Sequence, residues 1–204
     1  ARTLMITSPA PVDGKSITLV NLAVVMAQAG MKVIAVDTDL RRPVLDKVFR
    51  LSNSYGLSSA IMQPNPGVRE HLRPTEIDNL WVLPSGLLPP NPAELLGSKR
   101  MEAIIKDLAS QADVVLFDSP PILAVTDAVV LSTRVDGVLL VCNAGRTRRK
   151  EIQKGVEELR RVGANLLGSV LNRMSVRQNG YYYYYRRESE GGKKGNQPAD
   201  RKDA

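Results

Sequence analysis

Asp13-Gly14-Lys15-Ser16 closes a segment, Ser8 to Ser16, that lies between a short apolar run and a helix-length stretch. In that context the residue types suit phosphate binding. Backbone N–H groups and the positive end of a helix hold phosphate oxygens, Lys15 reaches the β- and γ-phosphates, and the Ser16 hydroxyl ligates magnesium. The match to the pattern GxxxxGK[ST] is incomplete, because Pro9 stands at the first glycine position and Gly14 is the only glycine of the loop. A strand-to-helix turn that happens to contain Gly-Lys-Ser is the plain alternative.

Two more apolar runs end in carboxylates. Asp37-Thr38-Asp39-Leu40-Arg41-Arg42 follows Val33 to Val36, and Asp118-Ser119-Pro120-Pro121 follows Val114 to Phe117. If the runs are parallel strands, Asp37, Asp39 and Asp118 gather at the edge that carries the Lys15 loop. Three carboxylates there repel one another unless a hard cation such as magnesium is held with the phosphates. Singly, each aspartate also fits a turn or helix cap. Arg41 and Arg42 fit either a bound acceptor or neighbouring subunit, or solvated loop positions.

A third feature is the run Tyr181, Tyr182, Tyr183, Tyr184 and Tyr185, in a chain whose other aromatics are Phe49, Tyr55, Trp81 and Phe117. A core spreads its aromatics, so a block this concentrated, followed by Arg186 and Arg187, is expected to be offered to a partner or an enzyme rather than buried. A sticky low-complexity tail is the alternative.

The elements that must position these groups follow from the apolar pattern. Strands are expected at Thr3 to Thr7, Lys32 to Val36, Leu80 to Leu83, Val114 to Phe117, Val138 to Val141 and Leu166 to Leu171. Helices are expected at Ser16 to Ala29, ending at Gly30, and at Pro92 to Ser110; another begins near Arg146 to Lys150 with a solvated basic face. Continuous apolar runs alternating with helices predict a mostly parallel sheet covered on both faces, with ligands beyond the carboxyl ends of the strands. Residues 1–176 are expected to form this domain and 177–204 a flexible tail, disordered from Gly191 onward. Trp81 and Cys142 read as core positions.

Composition narrows the classes. At 204 residues one domain plus a tail is expected, and a net charge of +7 alone selects no partner. A single cysteine excludes an intrachain disulfide, and the solitary His71 excludes a histidine metal cluster. No signal peptide and no apolar stretch near the ~20 residues of a membrane span is present, so a cytoplasmic protein or domain is expected.

Together these residues resemble the bacterial tyrosine kinases that regulate capsular and extracellular polysaccharide production. The resemblance runs from about Thr3 to Tyr185. It rests on Asp13-Gly14-Lys15-Ser16, Asp37-Thr38-Asp39-Leu40-Arg41-Arg42-Pro43, Leu83-Pro84-Ser85-Gly86, Pro90-Asn91-Pro92-Ala93-Glu94-Leu95-Leu96, Asp118-Ser119-Pro120-Pro121 and the terminal tyrosines. It implies a P-loop NTPase-like fold of the MinD/ParA type, with ATP and Mg²⁺. Asp13, Gly14, Lys15, Ser16 and Ile17 would bind nucleotide, and Ser16, Asp37 and Asp118 would hold the metal; if the strand Leu166 to Leu171 is parallel to the others it ends at the phosphate edge, where Asn172 could touch the adenine. Lys15, Asp37 and Asp39 would be catalytic, with Asp37 accepting the tyrosine proton.

The resemblance further implies that the tyrosine cluster is phosphorylated between subunits of a ring. It implies a membrane-embedded activator or polysaccharide co-polymerase, a tyrosine phosphatase and a place at the inner face of the plasma membrane, with no nucleic acid. From Arg173 to Tyr181 is eight steps, at most about 26 Å of extended chain, which permits transfer to the chain's own site or a neighbour's. Val12 and Ile17 depart from the Gly and Thr that the family often carries. The family's helix with a Glu/Arg oligomerisation motif is not in this sequence, so the ring is expected of a longer chain. Two other functions stay open. One is a MinD/ParA-like nucleotide-switch ATPase, which usually carries a second lysine where this chain has Ala10; the other is a non-enzymatic scaffold presenting the tyrosines to another kinase.

Overall fold

The structure, a computed structural model, describes residues 1–63 and 67–174. The chain divides into two units, Ala1–Asn172 and Arg173–Ala204. The expected boundary at residue 176, the tyrosine run and the stretch from Gly191 lie outside the described residues.

Seven strands form one sheet among the described residues: β1 (Thr3–Thr7), β2 (Val33–Asp37), β3 (Arg73–Pro74), β4 (Leu80–Leu83), β5 (Val114–Asp118), β6 (Gly137–Asn143) and β7 (Leu166–Asn172). Their order is β3-β4-β2-β5-β1-β6-β7, parallel throughout except for the two-residue β3, which runs antiparallel to β4. The helices are α1 (Lys15–Gln28), α2 (Leu45–Val48), α3 (Leu57–Met62), α4 (Pro92–Gly97), α5 (Lys99–Gln111), α6 (Asp127–Ser132) and α7 (Arg149–Arg161).

Every residue of β2 and β5 is buried because helices cover both faces. Alternate side chains of β5 enter different cores: Val115 and Phe117 join α5, α6 and α7 on one face, while Val114 and Leu116 meet Leu19, Ala23 and Ala27 of α1 on the other. Trp81 is half-buried and packs against the first of these cores. Cys142 is buried in β6 as expected, and burial pushes its thiol pKa up.

Two expectations need correction. The helix expected over Pro92 to Ser110 is two helices, because Gly97 ends α4 and Ser98 turns extended, accepting the Met101 N–H at 3.1 Å to cap α5. β7 is an edge strand whose residues alternate between half-buried and exposed, leaving Leu167 and Leu171 largely uncovered. Its apolar run reads like the central strands, but among the described residues only β6 pairs with it.

Candidate active site

The parallel sheet sends the carboxyl ends of β1, β2, β5, β6 and β7 to one edge. β1 lies between β5 and β6, where the strand order reverses, and its loop to α1 crosses the crevice in which such sheets bind ligands. Register fixes the carboxylates: Asp37 pairs beside Asp118, and Ile6 beside Asp118. Asp37 and Asp118 are therefore neighbours by strand pairing.

Lys15 opens α1 and turns back over this edge. Its Nζ lies 3.3 Å from Asp39 Oδ2, 3.4 Å from Asp118 Oδ1 and 3.1 Å from Ser16 Oγ. The ammonium offsets two carboxylates that burial would otherwise isolate. Asp118 has no exposed surface, and among the described residues its Oδ2 has no hydrogen-bond partner. Burial raises its pKa, opposed by Lys15 and by the Ser16 hydroxyl.

Asp37 is handled differently. Its Oδ2 accepts the N–H groups of Val44 and Leu45, both at 2.9 Å, and its Oδ1 accepts Asp39 N–H at 3.2 Å. Burial and the adjacent Asp118 still push its pKa up to about 7, against the pull of those backbone donors. The residue expected as base and metal ligand thus has both oxygens engaged, and it fastens the chain entering α2.

The phosphate loop is built around Asp13, which is fully buried. Asp13 accepts Ala10 N–H at 3.2 Å on Oδ2 and Thr147 Oγ1 at 2.9 Å on Oδ1, while Asn172 Nδ2 donates to the Asp13 carbonyl at 3.2 Å. Asp13 and Asn172, expected to touch nucleotide, therefore shape the loop, and Asn172 at the end of β7 reaches it as expected of a parallel strand. Gly14 is required twice over. It has φ +98°, and a Cβ there would lie 2.1 Å from Asn172 Nδ2. Val12 adopts φ +70°, a left-handed conformation that a β-branched side chain disfavours, at the position where glycine would fit without strain. Ile17 stands exposed on the first turn of α1.

A cavity of about 500 Å³ opens beside Lys15 and Asp39. Val12, Val44, Pro120 and Pro121 supply apolar wall, and Arg41 and Arg42 supply charge. Arg41 is clamped to the fully buried Asp127 at the start of α6, with Nε to Oδ2 at 2.8 Å and a second bond of 3.0 Å. Asp127 holds the Arg41 pKa above its ordinary value. Sequence reasoning missed Asp127 and Thr147. Asp127 reads as a helix-start residue and Thr147 as an ordinary loop residue, since only the fold brings their partners to them.

The donor set fits magnesium. Magnesium keeps several waters and takes one or two carboxylates plus substrate phosphates rather than a dedicated cage. The unpartnered Oδ2 of Asp118 and the adjacent Ser16 hydroxyl match that need. Among the described residues no three acidic, histidine or cysteine side chains form a metal cage.

The family model for an AAA domain matches residues 12–166. The tyrosine-protein kinase YwqD of Bacillus subtilis is 42% identical over 171 residues, covering 84% of this chain and 72% of that protein. This chain belongs to the bacterial tyrosine-protein kinase family. The kinase domain of Escherichia coli ETK superposes with a TM-score of 0.79 at 34% identity, covering 86% of this chain and 70% of that one. The cell-division ATPase MinD of Pyrococcus furiosus follows with a TM-score of 0.72 at 28% identity, covering 85% and 73%. The expected MinD/ParA-type P-loop architecture is thus borne out. In the longer tyrosine-protein kinase wzc of Salmonella typhimurium, 34% identical over 178 residues and matched over 87% of this chain, the match occupies 25% of that protein. Among the described residues no helix is long and apolar enough to cross a membrane.

Proposed function

We propose that this chain is an ATP-dependent protein-tyrosine autokinase that phosphorylates its own cluster Tyr181 to Tyr185 between subunits and thereby regulates capsular or extracellular polysaccharide synthesis and export. The observation that carries this reading is the Lys15 ammonium held between Asp39 and Asp118 beside a cavity of about 500 Å³ with apolar walls. The apolar wall beside Lys15 and Asp39 suits an aromatic acceptor side chain.

In the reaction the tyrosine oxygen bonds to the γ-phosphorus, the bond to the bridging oxygen breaks, and ADP leaves. Such transfer depends on positioning and charge neutralisation. Lys15 leaves its carboxylates to meet the γ-phosphate and the leaving oxygen. Asp118 Oδ2 and Ser16 Oγ would hold Mg²⁺, which supplies further neutralisation of phosphate charge. Asp39 lines the cavity and is assigned the acceptor hydroxyl, whose proton, of ordinary pKa about 10, must depart as the new bond forms. Asp37 supports this by holding the chain that presents Asp39. Asp13, Gly14 and Ile17 frame the nucleotide, with Asn172 against the base.

The family resemblance supports the rest of the assignment: a membrane-embedded activator or co-polymerase, a cytoplasmic place at the inner membrane face, a ring in a longer chain, and a phosphatase that resets the cluster. Incubation with ATP and Mg²⁺ followed by mass-spectrometric mapping tests the reading. Phosphate on Tyr181 to Tyr185 that disappears in Lys15→Met supports it. Hydrolysis of ATP without phosphotyrosine points instead to a nucleotide switch, and absence of ATP binding to a scaffold.

A further inference from the structure

The two adjacent arginines of the cavity differ in their commitments. Arg41 spends its guanidinium on Asp127. Arg42 is tied only through its backbone, whose N–H donates to Asp39 Oδ1 at 3.0 Å, and among the described residues its side chain has no ion pair or hydrogen bond. Arg42 is exposed, lines the same cavity as Lys15 and Asp39, and is anchored to the carboxylate assigned to the acceptor hydroxyl. An unpaired guanidinium in that place is a site for an anion delivered with the acceptor.

The acceptor segment supplies such an anion once it has been phosphorylated. Five consecutive tyrosines mean that, after the first transfer, each remaining hydroxyl has a phosphotyrosine close by. In an extended chain residues two apart point to the same side, about 7 Å from one another. A phosphate brings about −1.5 to −2 charges and three acceptor oxygens, which match the planar guanidinium fork.

We propose that Arg42 binds a phosphotyrosine already present on the incoming segment, so that the cluster is phosphorylated by preference on chains that have begun to be phosphorylated. This rests on the kinase reading given above. The covalent step is unchanged: the O–P bond forms at the next tyrosine, the bond to ADP breaks, and the phenol proton leaves to the site carboxylate. Arg42 touches the earlier phosphate rather than the reacting atoms, and so sets acceptor preference.

The test uses the full chain with ATP and Mg²⁺ and two synthetic peptides spanning residues 178–187. Both carry Tyr183 as the single acceptor with phenylalanine at the other tyrosines, and one has phosphotyrosine at position 185. Mass spectrometry reads the peptide product. The expected result is a preference of about tenfold in kcat/KM for the primed peptide, expressed mainly in KM. Arg42→Gln should bring that ratio to about one, and Arg42→Lys should keep part of it, since a point charge replaces the fork. Fluorescence polarisation without ATP should show tighter binding of the primed peptide that Arg42→Gln removes. Equal kcat/KM for the two peptides in the unaltered chain overturns the proposal. So does an Arg42→Gln effect that raises the KM for ATP and leaves the peptide ratio intact, which would assign the guanidinium to the nucleotide. No label on either peptide, with none on Tyr181 to Tyr185, would overturn the kinase reading and this proposal together.

Discussion

Asp37 and Asp118 sit side by side in register, each closing a fully buried strand that ends in the pattern apolar-run-then-aspartate. In the turn after β2, three backbone N–H groups converge on Asp37 and leave neither of its oxygens without a donor. At the end of β5, Asp118 keeps one oxygen without a partner among the described residues and shares the other with Lys15. A buried carboxylate saturated by backbone donors stabilises a turn; one left partly unsatisfied is held ready for a cation. The difference separates a group that builds the site from a group that the reaction uses.

The largest effects should fall on the unsatisfied side. Lys15→Met removes the charge that faces the γ-phosphate and is expected to lower phosphorylation of the tyrosine cluster by about 10²–10³-fold or more, read by mass spectrometry. Asp118→Asn should weaken Mg²⁺-dependent nucleotide binding strongly, read by calorimetry with and without the metal. Asp118→Asn should not lower the melting temperature much, because it removes one of the carboxylates crowded around Lys15, whereas Lys15→Met leaves Asp39 and Asp118 buried without their cation and should lower it as well. A loss of fold in Asp118→Asn with metal dependence intact would reverse the assignment of the two aspartates.

Asp37→Ala should act first on stability. It strips three backbone N–H groups of their acceptor, and a loss of about 1–3 kcal/mol in urea unfolding is expected, moderated because the buried charge is itself unfavourable. Unchanged stability would show that the backbone donors find water instead, and that the turn does not depend on the carboxylate.

The same residue makes a pH prediction whose sign is set by burial. Its folded pKa is raised to about 7 from an ordinary carboxylate value near 4. The folded state therefore holds a proton that the unfolded chain has released. This contribution to stability is fully present below about pH 4 and is lost as pH rises toward and through 7. Asp118 is shifted in the same direction. Melting of the nucleotide-free chain should fall between pH 5 and pH 8, with a shallower fall in Asp37→Asn. A flat profile would mean that Lys15 and the backbone donors offset burial completely.

The sheet, both of its covered faces and the gathering of Lys15, Asp37, Asp39 and Asp118 were legible because apolar runs fix strands, and parallel strands deliver their carboxyl ends to one edge. Sequence could not rank those aspartates, since the ranking depends on which backbone N–H groups the turns aim at each oxygen. Nor could it find the Arg41 to Asp127 clamp across 86 residues, or Thr147 reaching Asp13 across 134. The break at Ser98 was present as Gly97-Ser98, a helix stop followed by a cap, but the apolar periodicity continues through it.

The smallest effect concerns the loop whose glycine-poor sequence first set it apart. Val12 holds φ +70° with its side chain largely exposed, so little packing recompenses the conformation. Such a left-handed β-branched residue carries roughly 1–2 kcal/mol of strain, while glycine returns roughly 0.5–1 through the greater freedom of the unfolded chain. Val12→Gly should therefore stabilise the fold by up to about 1 kcal/mol, a rise of a few degrees in Tm for a domain of this size. Because Val12 also lines the cavity, the same change widens the wall beside Lys15. Comparison with Val12→Ala divides the two effects: alanine removes bulk from the wall but keeps a Cβ in the left-handed region. If alanine raises Tm as much as glycine does, side-chain crowding rather than backbone strain is what the loop sustains at this position.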